Sequence, residues 1–519
     1  MAEASEYLLE IEAHDGTALR IIRLSTSGYV TGPNDNPADA EYPAKIVDPG
    51  TFKQSMFSEN RTMGQAQVGY GEIVVTNADG ELDSILNYGV DGRAAVLKRL
   101  PSRRGAYASA ETIMRATLTR ADSVSAWTEL RFRLYDRLLE LDKPLQSNRY
   151  AGTTVSAGAT ANGSPDLKDR IKPLVFGRAN NIELICVNPF NLLYQASDGP
   201  VVSITGYDGG IQLRNAGDFP SIAALIAASI PGGSCGTCLT LGLVRFGGAF
   251  TGKPGFVFTA DVVEGATLAQ RSASAVAQRI LAKMGIAGAS LVASSFTALQ
   301  AAAPQEVGIY ISDETTALAA LSMILGSVGA SIVPNALGQF EVQQMRAPGV
   351  PVFSLTMDDI LTDQGGSIGI VANPDTDAGL PAWRVVLRHS KIYRTHSESE
   401  VGPCAAERRI ALGSEYREVR AESAAVRTKH LLAPELTIET LLTNAADAAS
   451  EAARRLALYS VRRDVLSFPV RRDDAVAAVL GATGTVTMPR LSYQSGRNMV
   501  VIGRTEDPAN ERVVLTLWG

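Results

Sequence analysis

Apolar and polar residues alternate at both ends of the chain and fall into helical spacing between them. In EYLLEIEAH, Leu9, Ile11 and Ala13 alternate with Glu10 and Glu12, the period of a strand with one buried face. YGEIVVTNADGELD, Tyr70 to Asp83, predicts a strand stopping at an Asp79-Gly80 turn, and Asp91-Gly92 is a second turn signal. In WTELRFRLYDRLLEL, Leu130, Phe132 and Leu134 alternate with Arg131 and Arg133, charges that a helix would scatter around its circumference. Gln146 to Asp166 is small, polar and rich in Gly, Ser and Thr, which predicts a linker or exposed loop and a domain boundary.

The middle of the chain mixes periods. DFPSIAALIAAS places Pro220 near a helix start with Ile222, Leu225 and Ile226 on one face. Ala266 to Met284 carries Val276, Ile280, Leu281 and Met284 at helical spacing, with Gly285 where a C-terminal cap belongs. A further helix follows Ser312 and Asp313, with Leu318, Leu321, Leu325 and Val328 in register, and ASIVPNALGQFEVQQM reads as strand, turn and strand. The last third returns to β structure. Trp383, Val385 and Leu387 alternate with Arg384, Val386 and Arg388, and the tail reads as a hairpin turning at Asp507 to Asn510. Between them, TNAADAASEAARRLALYSVRR predicts one long helix, with Thr443 or Asn444 as N-cap, acidic residues early and arginines late. The β to mixed to β order predicts an α+β, mainly β, chain in three parts: 1–165, a mixed 166–345 and 346–519.

At 519 residues the chain exceeds what one hydrophobic core usually serves. Hydrophobic residues make up 45% and charged residues 20%, the balance of a globular protein. A net charge of -6 argues against a broadly basic nucleic-acid surface and leaves room for a local patch. The acidic N-terminus is not a secretion signal, and no apolar run nears the roughly 20 residues that span a bilayer. Synthesis in the cytoplasm without membrane insertion is the expectation, with the four cysteines, Cys186, Cys235, Cys238 and Cys404, as reduced thiols.

Candidate chemistry consists of near-misses. GGAFTGKP, Gly247 to Pro254, has phosphate-loop spacing, but Pro254 stands where a Ser or Thr would hold magnesium. GGSCG around Ser234 matches a nucleophile elbow in reversed context, with helix before and strand after. Cys235 and Cys238 have CxxC spacing without a second closely spaced pair, which predicts two thiols in a Gly-rich turn and no metal. TNADGELD approaches a calcium loop, yet Leu82 falls where the invariant glycine belongs, so a solvated hairpin turn is expected. None of the four histidines stands beside an evident nucleophile. No catalytic, cofactor-binding or metal residue is therefore assigned. A hydrolase of cell wall or surface polysaccharide, needing only two carboxylates, stays as the alternative to a non-enzymatic role.

Several stretches in fixed order carry a likeness. VGYGEIVVTNADGELDSILNYGVDGR and LRFRLYDRLLELDKPLQSNRYAG resemble the opening domain of tail proteins of long, non-contractile-tailed phages and prophages. KPLVFGRANNIELICVNPFNLLYQASDGPV, GFVFTADVVEGAT, SEYREVRAESAAVRTKHLLAPEL and MPRLSYQSGRNMVVIGRTEDPANERVVLTLWG continue it to the C-terminus. The family resembled is the baseplate hub or tail tip protein.

The resemblance implies a homotrimer whose chains each carry two tail-tube-like β-barrel domains flanking the mixed α/β middle. It implies a place at the tip of the virion tail, contact with a hexameric tube or distal tail protein, a tape measure protein and fibre or receptor-binding proteins, and genomic DNA passing through the lumen without specific binding. Since the chain ends at Trp518-Gly519 without a fibre-like extension, host recognition is expected in another polypeptide. Lys172 to Leu213 is read as a connector and strand pair between the first barrel and the middle. The lumen is expected to be acidic and neutral, with Arg131, Arg133, Arg384 and Arg388 turned to neighbouring chains or outward.

Overall fold

The computed structural model describes residues 5–58, 61–124, 127–247, 257–361, 368–371, 374–376 and 379–519. The chain is α+β and mainly β. Its N-terminal part forms a seven-stranded antiparallel sheet in the order Leu19–Ser25, Glu6–His14, Ala94–Leu100, Glu111–Val124, Glu129–Tyr135, Tyr70–Thr76, Ile46–Asp48. Period-two alternation sends Leu9, Ile11, Ala13, Leu130, Phe132 and Leu134 into one buried cluster with Ile73, Val75 and Leu97. The two edges of this sheet meet. Ser25 bridges Ala44 in parallel, Ser25 N donates to Pro43 O at 2.8 Å, and Lys45 N donates to Ser25 O at 2.9 Å.

A second seven-stranded sheet gathers the end of the chain, in the order Phe353–Leu355, Thr483–Val486, Arg497–Asp507, Arg512–Trp518, Val465–Arg471, Gly369–Val371. Its seventh strand comes from the N-terminal part, for Phe52–Ser55 pairs with Glu506 to Gly503, beyond the reach of Thr483–Val486. The chain leaving Phe353–Leu355 crosses to the opposite edge, where Ile360 bridges Val470 and Leu361 N donates to Pro469 O at 2.9 Å. One segment thus bonds both edges, and this sheet also curls on itself. The C-terminal hairpin turns through Pro508–Asn510 as expected, with Glu511 at φ 49 completing the reversal.

The middle holds two five-stranded sheets. One runs Ile211–Gln212, Ser203–Asp208, Phe258–Val263, Leu174–Glu183, Gly308–Ile311, and the other Ile185–Asn188, Leu193–Gln195, Leu243–Phe246, Ser234–Cys238, Arg214–Asp218. Lys172 to Leu213 holds a strand pair as expected, Ile185–Asn188 with Leu193–Gln195, but is more than a connector. It contributes strands to both sheets, and Val175, Ile182, Leu184 and Val187 lie buried in their cores. Gln146 to Asp166 is the mostly exposed loop that its composition predicts, with one anchor. Tyr150 is buried and its hydroxyl donates to Gln195 Oε1 at 2.6 Å, so the polar stretch is pinned to the second sheet by one aromatic side chain.

Helices cover the strand pair Ala330–Pro334 and Phe340–Gln344. The helix expected from Ala266 begins at Ala273, because Ser272 accepts Ala275 N and fixes the start there. Ala317–Gly326 is capped by Thr316, and Ala293–Ala302 is a helix that the pattern analysis did not assign. Asn444, not Thr443, caps Ala445–Tyr459 through Ala446 N at 2.8 Å. Thr443 instead donates its hydroxyl to Glu306 at 2.6 Å. That long helix packs on a three-stranded sheet with Arg384–His389 in its centre, between Arg417–Glu422 and Glu435–Glu439. No helix among the described residues is long and apolar enough to cross a membrane.

Candidate assembly interface and cavities

The two curled sheets touch through charges that strand geometry brings to their rims. Arg99, near the end of Ala94–Leu100, is buried and meets Glu511 at 2.9 Å and Asp473 at 3.1 Å. Tyr7 Oη donates to Glu511 Oε1 at 2.6 Å, and burial followed by the Glu511 carboxylate pushes its pKa far up. From the other side Arg472, also buried, reaches Glu111 of the N-terminal sheet at 3.1 Å and Glu506 of its own at 3.4 Å. With the pairing of Phe52–Ser55, this cluster fastens the first part of the chain to the last. The two guanidiniums are buried while Asp473, Glu511 and Glu111 stay open to solvent, so loss of the carboxylates would leave buried positive charge uncompensated, and the cluster favours one arrangement of the two sheets.

The four arginines expected to face neighbours or solvent are neutralised within the chain. Arg131 lies 3.3 Å from Glu72, and Arg133 lies 2.7 Å from Asp122. Arg384 meets Glu422 at 2.9 Å and Glu435 at 2.8 Å, while Arg388 meets Glu418 at 3.4 Å and Glu439 at 3.1 Å. Each pair shares a sheet face, and cross-strand carboxylates supply its counter-charge.

The chemical near-misses resolve into structure. Cys235 and Cys238 lie in a strand rather than a turn, and three residues of extended chain put them on opposite faces. Cys235 packs with Val244 and Phe246, and Cys238 with Leu225 and Val187, in separate cores. They cannot share one ion. Ser234 is buried at the start of this strand, so extended chain follows it where a nucleophile elbow would begin a helix. In TNADGELD, Lys45 sets its ammonium against Asp79 and, at 3.0 Å, Glu81, taking the place of a cation. The loop leads into the short helix Asp83–Asn87 rather than a hairpin partner. GGAFTGKP beyond Gly247 lies outside the described residues.

Sequence reading overlooked one neighbour pair. His389 Nδ1 lies 2.8 Å from Ser390 Oγ, but that hydroxyl donates to Thr443 O at 2.8 Å and both residues are buried, 2% and 5% exposed. Burial, then the charge of Arg417, lowers the His389 pKa, so the ring is a neutral packing group. Among the described residues no three His, Cys, Asp or Glu side chains come together as metal ligands.

Two cavities stand out. One, of about 830 Å³, opens between the middle sheets and includes Arg170, Glu183, Tyr310, Met323, Lys391 and Tyr393 in its wall. Another, of about 540 Å³, lies between the N-terminal sheet and the turn at Leu337 to Gln339, with Arg93, Arg115 and Arg137 around it. Arg137 is committed to Glu140 and to Gly338 O.

No protein-family model matches the sequence, and no curated protein matches it. Among solved structures, the fold is similar to the tail protein from Neisseria meningitidis MC58, with a TM-score of 0.42 and 9% identity, over 99% of this chain and 97% of that one. It is similar to the prophage MuSo2 43 kDa tail protein from Shewanella oneidensis, with a TM-score of 0.39 and 10% identity, over 99% and 98%. A chain of the virion of a native gene transfer agent particle is similar at a TM-score of 0.44 and 15% identity, over 74% and 92%.

Proposed function

We propose that the chain is a structural subunit at the tip of a long, non-contractile phage tail, the trimeric hub that joins the tail tube to the tip and its fibres. The observation that carries this reading is the pair of curled seven-stranded sheets, one from each end of the chain, locked side by side by Phe52–Ser55 and the Arg99 and Arg472 clusters. Three such pairs in a closed ring would offer six sheets to a sixfold tube, and closed cyclic symmetry is the common outcome for oligomers. The two barrels at 1–165 and 346–519, around the middle 166–345, belong to this proposal, with Phe52–Ser55 exchanged between them.

The proposed partners are the hexameric tube or distal tail protein, the tape measure protein and the fibre or receptor-binding proteins. Genomic DNA would pass through the bore without specific binding. A net charge of -6 and arginines already paired to carboxylates support a wall that does not retain DNA by counterion release. The reading assigns no chemistry to the chain. A cryo-EM reconstruction of assembled tails tests it: three copies at the tip with both curled sheets around the axis are expected, and six copies, or none, would overturn it. Turnover of peptidoglycan or capsule by the purified chain would favour the hydrolase instead.

A further inference from the structure

The cavity between the middle sheets brings charges of both signs beside two tyrosine rings. The cavity, about 830 Å³, is bounded by the loop at Ser164 to Arg170, the corner at Glu183 to Cys186, the strand Gly308–Ile311 and the turn at Lys391 to Tyr393. Its volume lies in the range of small-molecule sites. Within it Arg170, Glu183 and Asp166 make no side-chain hydrogen bond or ion pair among the described residues, although Arg170 and Glu183 both act electrostatically on the Tyr310 hydroxyl. Tyr310 and Tyr393 stand edge to face, their centroids 5.4 Å apart, and Met323 and Pro189 add apolar surface at the rim.

Free groups of both signs beside tyrosine rings narrow the ligand. A polyanion would meet Glu183, Asp166 and Asp313, and a polycation would meet Arg170, while Lys391 is already held by Glu415 at 3.2 Å. A purely apolar ligand would strip water from all of them without replacing its hydrogen bonds. A neutral polyhydroxylated ligand has neither fault, because each hydroxyl both donates to a carboxylate and accepts from a guanidinium. Its C–H faces would lie on Tyr310, Tyr393 and Met323. We infer that this cavity is a binding site for a neutral oligosaccharide, with Arg170 and Glu183 as its hydrogen-bonding poles. The chemistry of the cavity is independent of any place in a tail.

The test is titration calorimetry of the full chain with chitotetraose, maltotetraose and cellotetraose, with dextran sulfate and an extended basic peptide alongside. At least one neutral tetrasaccharide should bind, with little dependence on salt. Arg170→Ala and Glu183→Gln, both at exposed positions that leave the fold intact by circular dichroism, should each weaken it by about tenfold or more. Arg93→Ala in the second cavity should change nothing. Failure of all three sugars, unchanged affinity in both cavity variants, or binding of only the polyanion or the peptide would overturn the assignment.

Discussion

Tyr7 and Glu511 stand 504 positions apart, and the Tyr7 hydroxyl donates a 2.6 Å hydrogen bond to the Glu511 carboxylate. The first strand of the chain and its last hairpin are therefore one structural unit, with Arg99 bridging from Glu511 to Asp473 behind them. Arg99→Ala should destabilise the chain by about 2 kcal/mol, below the figure for a fully buried pair because Glu511 is partly and Asp473 largely exposed. Urea denaturation of the variant measures it. A loss under about 0.5 kcal/mol would mean that the junction behaves as an ordinary surface pair.

The strand exchange depends on a glycine. A Cβ at Gly71 would overlap the Phe52 ring and crowd Thr51 O at 3.0 Å, so only a glycine lets the crossing strand lie this close to the N-terminal sheet. Gly71→Ala should cost about 1–3 kcal/mol by overpacking. Combining it with Phe52→Ala should cost less than the two changes added, because the ring that clashes is gone. Strict additivity in thermal or urea unfolding would place the damage elsewhere.

Cys235→Ser and Cys238→Ser each put a hydroxyl into a separate apolar core, for about 1–3 kcal/mol apiece. Lying on opposite faces, the two losses should add within about 0.5 kcal/mol. Burial pushes the Cys235 thiol up, which should make it slow to react with a thiol reagent until the chain unfolds. Stoichiometric zinc in the purified protein, lost in either variant, would contradict this placement.

Asp136 supplies a pH dependence. Burial pushes its pKa up to about 7 against two backbone donors, Gly69 N at 2.8 Å and Leu138 N at 2.9 Å. An unfolded aspartate titrates near about 3.9. Between those values the folded chain holds a proton that the unfolded chain has released, so this group's contribution falls as pH rises through the window. The wild type should lose stability relative to Asp136→Asn from about pH 4 to about pH 7, read from paired melting curves. Parallel pH profiles would contradict it.

Much of the fold was legible where the signal is local. Leu9, Ile11 and Ala13 declared their strand by alternation, the Asp507 to Asn510 turn declared the last hairpin, and Asn444 was one of two caps in view. What stayed hidden was set by distant partners. Nothing in FKQS shows that it pairs with Arg497–Asp507, because a strand edge carries no local mark of its neighbour. Lys172 to Leu213 reads as a connector and strand pair from its turns and apolar alternation, while the burial of its strands in two separate cores is a tertiary fact. Ala293–Ala302 escaped since serines dilute its apolar face to Phe296 and Leu299. The cavity wall is scattered over Asp166, Glu183, Tyr310 and Tyr393, with no spacing that a motif could record.

The central claim is that this chain closes a ring of three, and sedimentation velocity of the purified full-length protein tests it most directly. The account predicts a concentration-independent species of about three times the chain mass of 54.9 kDa, broken to monomers only on unfolding. A monomer throughout the micromolar range, or a strict hexamer, would contradict it.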